Sequence, residues 1–135
     1  MRAARSLLLL AVCMVAACVA CRSRSGAASL GEVPVVAPFD AMGLPTKGGV
    51  VWSCNVVRMK VVYDGGDRGA LGEAYGQALE QHGWTSMQPA AAGAHQWLGR
   101  YQHAGEVLTL DVHDADFEGK VPNGVEVFLS IKDAI

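Results

Sequence analysis

Between Val57 and Gly83 the apolar pattern changes its period, and that change fixes the order of elements. Val57, Met59, Val61 and Tyr63 alternate with Arg58 and Lys60, the period-two pattern of a half-buried strand. Beyond "DGGD", Leu71, Tyr75, Ala78, Leu79 and His82 recur at helical spacing, and the Asp67 carboxylate is placed to cap the new helix. Gly72 and Gly76 each cost about 1 kcal/mol against alanine, so this helix needs a sheet to hold it. Gly83 fits the position just past the helix end, and Trp84 follows where the chain turns back. Val50 to Cys54 forms a shorter strand ahead of the first, with Asn55 at the junction.

After the helix the chain reads as β. "HQWLGRY" and "EVLTLDVH" flank the turn "QHAG" as an antiparallel hairpin, with Leu108, Leu110 and Val112 on one face and Thr109, Asp111 and His113 on the other. "GVEVFLSI" turns Val125, Val127, Leu129 and Ile131 to the core and Glu126, Ser130 and Lys132 outward. A strand pair, one helix and several strands predict an α+β fold, a single helix packed on one face of an antiparallel sheet.

The N-terminus belongs to a different problem. Arg2 and Arg5 precede an apolar run, and only 16 uncharged residues, Ser6 to Cys21, stand before Arg22. That is short of the roughly 20 residues of a membrane span and matches a secretory signal. Val15-Ala16-Ala17-Cys18 resembles the lipobox of a bacterial lipoprotein signal, in which the final cysteine receives the lipid. Cys21 also follows an alanine, but with Cys18 in the place of the usual branched residue, so Cys18 is the expected lipidation site and Cys21 its alternative. The resemblance implies a diacylglycerol on the sulfur and an acyl chain such as palmitate on the freed amine. Cleavage without lipidation, giving a secreted protein, is the competing reading of the same segment. The chain then divides into a signal peptide (1–17), a lipidated N-terminus and flexible tether (18–38) rich in small residues and proline, and a small domain (39–135). Of the four cysteines, Cys13 leaves with the signal. Lipidation of Cys18 leaves Cys21 and Cys54, which an oxidising compartment permits to pair, but pairing would pull the domain onto the membrane and is not expected. An unpaired Cys54, in an apolar strand, reads as a small buried hydrophobe.

A second resemblance lies in the domain itself. "LPTKGGVVW", a strand into "VVYDG", and a helix ending Tyr-x₃-Leu-x₃-Gly-Trp are similar to small domains of bacterial lipoproteins, over residues 44–84. It implies fold and location, and no catalytic residues come with it. Val19 after Cys18, in place of the aspartate that retains lipoproteins at the inner membrane, implies the outer membrane where a cell has two.

Charge excludes one class of partner. The whole chain has net charge −2, and loss of Arg2 and Arg5 with the signal takes it to −4. An acidic chain without a basic stripe in its sequence does not suit nucleic acid. Asp114, Asp116, Glu118 and Gly119 match the first positions of a calcium loop, but the closing position is Val125, and Glu126 falls one residue late on the opposite strand face. Asp111 and His113 share a strand face and are the candidate metal ligands, with His103 as a conceivable third. Zinc requires three or four convergent groups, and the sequence brings no others to them, so no metal or other cofactor is expected. Neither a Gly-x-Ser-x-Gly elbow nor a phosphate-binding glycine loop is present. Trp97 and Tyr101, four residues apart, share a strand face and are either core or a partner surface. The sequence therefore predicts a non-enzymatic, membrane-anchored binding module of the cell envelope, its partner another envelope protein. The alternative is a periplasmic small-ligand or metal-binding module.

Overall fold

The computed structural model describes residues 31–115 and 121–134. Strand β1 (Val50–Cys54) turns at Asn55 into β2 (Arg58–Tyr63). The Asn55 Oδ1 accepts from the backbone N–H groups of Val57 and Arg58 at 3.0 and 2.8 Å, which ties the turn. Helix α1 (Arg68–Gln81) begins where the Asp67 side chain accepts from the Ala70 N–H. It ends at Gly83, whose φ of +93° a side chain would oppose. Two short strands follow, β3 (Thr85–Ser86) and β4 (Ala91–Ala92), then β5 (Gln96–His103), β6 (Glu106–Asp114) and β7 (Val125–Asp133). The β5–β6 hairpin turns on Ala104 and Gly105, both at positive φ, the two-residue geometry that suits the twist of the strands.

The strands form one antiparallel sheet in the order β1-β2-β7-β6-β5-β3, with β4 also on β5. The last strand thus lies between the first hairpin and the second, and α1 carries the chain from β2 to the far edge. Among the described residues one α-helix packs on this seven-stranded sheet, an α+β fold. The helix sits mainly over β5 and β6. Beneath it Tyr75 and Leu79 are fully buried against Trp97, Tyr101, Leu108, Leu110, Val127 and Leu129.

Gly72 and Gly76 have their reason here. A Cβ on Gly72 would stand 2.3 Å from the Trp97 ring, and one on Gly76 would meet the Tyr101 hydroxyl at 2.4 Å. The helix rests its bare backbone on two aromatic rings, and the propensity it gives up is offset by that close approach. At the centre of this layer Tyr63 donates to the Pro45 carbonyl at 2.9 Å, which leaves Tyr75 to donate to the Tyr63 oxygen at 2.8 Å.

Three features differ from the sequence reading. Packing begins at Val33, ahead of residue 39: its N–H donates to the Val51 carbonyl at 2.9 Å, and Val33 and Val35 lie against the core. Val57 belongs to the turn and is 44 % exposed, because the alternating pattern starts only at Arg58. Glu126, expected outward, is fully buried, because the face away from the helix has a cover of its own at one corner, where Ala115 and Val121 pack on Val62 beside Val50 and Trp52. Among the described residues no helix is long and apolar enough to cross a membrane.

Candidate functional site

Trp97 and Tyr101 do emerge on one face, as their spacing demands, but it is the face under the helix. They are 8 % and 5 % exposed, so they belong to the core and not to a partner surface. The physical reason is the pair of helical glycines, which leave room for two rings directly beneath the backbone.

The helix-free face carries the chemistry. Strand register arranges it in rows across the sheet, neighbouring residues about 4.8 Å apart. One row is Val62, Glu126, His113 and Gln96; the next is Lys60, Phe128, Asp111 and Leu98; a third is Arg58, Ser130, Thr109 and Arg100. Asp111 and His113, the sequence candidates, are brought together. His113 Nδ1 lies 3.3 Å from one Asp111 oxygen, and Gln96 donates to the other at 2.9 Å. Burial pushes the Asp111 carboxyl up, but the hydrogen bonds from His113 and Gln96 outweigh it and hold it below the usual carboxylate range. On its other side His113 Nε2 stands 3.8 Å from Glu126, whose same oxygen is 3.7 Å from the Lys60 ammonium. Lys60 in turn lies 5.3 Å from the ring centres of both Trp52 and Phe128, a cation held between two aromatic faces.

His103 does not join this cluster. It pairs with Glu106 at the turn end of the hairpin while His113 pairs with Gln96 at the other, and its Nδ1 lies 2.9 Å from the Gly83 carbonyl. Its ring lies against Trp84. The pairing of two histidines in one metal site is therefore corrected by hairpin register. Among the described residues no three His, Cys, Asp or Glu side chains are placed to share an ion. Of the calcium-loop residues, Asp116, Glu118 and Gly119 lie outside the described residues, as do Cys18 and Cys21. Asp114 is engaged by Arg68 at 2.7 Å and by His95 at 3.2 Å. The His95 hydrogen bond, with the Arg68 charge, holds its carboxyl below the usual range. The Cys54 sulfur, half-buried against the core, accepts from the Val36 N–H at 3.4 Å.

At the helix N-terminus an open groove of about 490 Å³ is lined by Arg68, Ala94, His95, Trp97, Asp114 and Gly124, among others. Arg68 also donates to the Ala94 carbonyl, so its guanidinium bridges two walls of the groove. Sequence reasoning missed Lys60, Glu126, Arg68 and the Arg58–Arg100 row. Alternation did mark Arg58 and Lys60 as facing away from the core, but nothing local says that β7 lies beside β2, and that neighbour relation brings Glu126 to Lys60. No family model, no curated protein and no solved structure matches this chain.

Proposed function

We propose that the chain is a lipid-anchored bacterial lipoprotein whose small α+β domain is a non-enzymatic binding module of the cell envelope. The anchor is Cys18, with Cys21 as the alternative, and in a cell with two membranes the anchored leaflet is that of the outer membrane. The observation that carries the binding assignment is the helix-free sheet face. Its charged and hydroxyl side chains stand in rows, exposed or half-exposed except for the buried Glu126, while the opposite face is consumed by packing. The sequence Val15-Ala16-Ala17-Cys18 behind an apolar run carries the anchoring. Two acyl chains or more hold a protein stably at a bilayer, since each buried CH₂ contributes about 0.8 kcal/mol.

The groove at the start of α1 favours a second reading, a periplasmic module for a small polar ligand, because its polar groups converge on a concave surface. Metabolic labelling with a palmitate analogue in a bacterial host tests the anchor. Cys18→Ser should abolish label. Label that persists and disappears only with Cys21→Ser moves the site three residues, and an unlabelled wild type removes the anchor.

A further inference from the structure

Charge on the helix-free face is segregated along the strands. Asp111 and Glu126 lie toward the corner covered by Ala115 and Val121, and both are engaged there. Toward the β1–β2 turn the outward positions are Arg58, Ser130, Thr109 and Arg100, followed by Lys132 and Gln102 on the strands beyond. Arg58 and Lys132 are exposed and Arg100 is half-exposed. No carboxylate of the described residues lies within ion-pair distance of any of the three. An acidic domain thus presents a basic, hydroxyl-bearing row on this face, with the paired carboxylates Glu106 and Asp133 beyond it at the strand ends, next to Lys132.

That same end holds the exposed aliphatic side chains. Val36, Val56 and Val57 are 36 %, 68 % and 44 % exposed; Met87, at the opposite edge, is the other large apolar side chain exposed among the described residues. Val56 and Val57 form the β1–β2 turn, and Val36 joins them through its hydrogen bond to Cys54. The turn is held by Asn55 and by the Ile131 N–H donating to the Val57 carbonyl at 2.8 Å. Aliphatic side chains on a rigid tip, backed by guanidinium and ammonium groups, match a bilayer surface, which offers hydrocarbon beneath a layer of phosphate.

We propose that the β1–β2 tip and the Arg58–Arg100 row dock the domain onto the anionic phospholipid bilayer that carries its anchor. The inference rests on the lipoprotein reading, and the chain length permits it. From Cys18 to Gly31 the chain reaches at most about 45 Å, and from Val51 to the tip is about 13 Å along β1. Docking turns the anchored domain's surface toward lipid and leaves the groove at the start of α1, at the other end of the strands, facing away.

The full chain as produced in a bacterial host with intact lipoprotein processing, with a polarity-sensitive fluorescent amino acid at position 56, tests this in vesicles of phosphatidylcholine and of equal parts phosphatidylcholine and phosphatidylglycerol. A lipid-borne quencher should reach position 56 in the anionic vesicles, and should not reach the same fluorophore at the exposed helix position 73. Each cation near an anionic surface contributes about fivefold, so Arg58→Gln with Arg100→Gln should lower the docked-to-undocked ratio by about 25-fold. High salt should do the same by screening. Co-flotation with both vesicle types and an unquenched position 56 overturns docking while the anchor stands. Flotation only with anionic vesicles, with position 56 quenched, supports docking and overturns the anchor; no flotation with either overturns both. Arginine-dependent binding of soluble polyphosphate with the tip unquenched assigns the row to a soluble polyanion and overturns the lipid assignment.

Discussion

The two faces of this sheet are built from the same strands and obey opposite rules. Under the helix, tolerance is measured in tenths of an ångström: glycine backbone on tryptophan and tyrosine rings, with every aliphatic side chain in contact. On the other face, Val62, Val107 and Glu126 apart, the side chains are half-exposed or exposed, and their interactions are ion pairs, hydrogen bonds and a cation between two rings. The first face decides whether the domain folds; the second is free to decide what it meets. Close packing penalises a change of volume by one methyl group, whereas exposed charges can be replaced at little cost in stability.

Substitutions under the helix should break the domain first. Leu79 is fully buried, so Leu79→Ala should cost about 2–5 kcal/mol in urea unfolding. The exposed neighbour Glu80→Ala is the control, and an equal effect of the two would refute the assigned helix face. Gly72→Ala is the sharper test. Helix propensity alone predicts a gain of about 1 kcal/mol. The clash with Trp97 predicts a loss of about 1–3 kcal/mol through overpacking. A net stabilisation would mean that the ring moves aside freely and that the covered face is looser than its geometry.

The same contrast explains what the sequence made legible. Period and caps are local signals, so β1, β2, α1 and the β5–β6 hairpin could be read directly, as could the shared faces of Leu108, Leu110 and Val112 and of Asp111 and His113. Glycine spacing on the helix read only as a penalty, because its benefit depends on rings more than twenty residues away. Neighbour order across the sheet is likewise non-local. The partnership of Lys60 with Glu126 and the row from Arg58 to Arg100 both depend on β7 lying between β2 and β6. β3 and β4 are too short to display a period. Val33 and Val35 were hidden in a segment whose composition reads as tether, yet two valines suffice to fasten it to the edge of β1.

The smallest effects should come from pH, and they separate the faces by sign. Burial pushes the Tyr63 and Tyr75 hydroxyls up, Tyr75 further because the Tyr63 oxygen faces it. Their folded-state pKa values lie above the unfolded value of about 10, so the stability they contribute is present below pH 10 and is lost as pH rises beyond it. Tyr75→Phe should flatten that alkaline decline. On the helix-free face Asp111 has the opposite sign: its carboxyl is held below the unfolded value of about 3.9, so its contribution is present above that pH and disappears as pH falls through the folded value. A half-exposed pair of this kind is worth about 0–1 kcal/mol. Asp111→Asn should therefore lie below wild type by a small margin at about pH 5, and the two should converge as pH falls below about 4. Leu79→Ala, which changes no charge, should keep its full margin throughout. An undiminished margin for Asp111→Asn down to about pH 2 would show that the helix-free face does not hold Asp111 ionised and that the difference between the faces is one of packing alone.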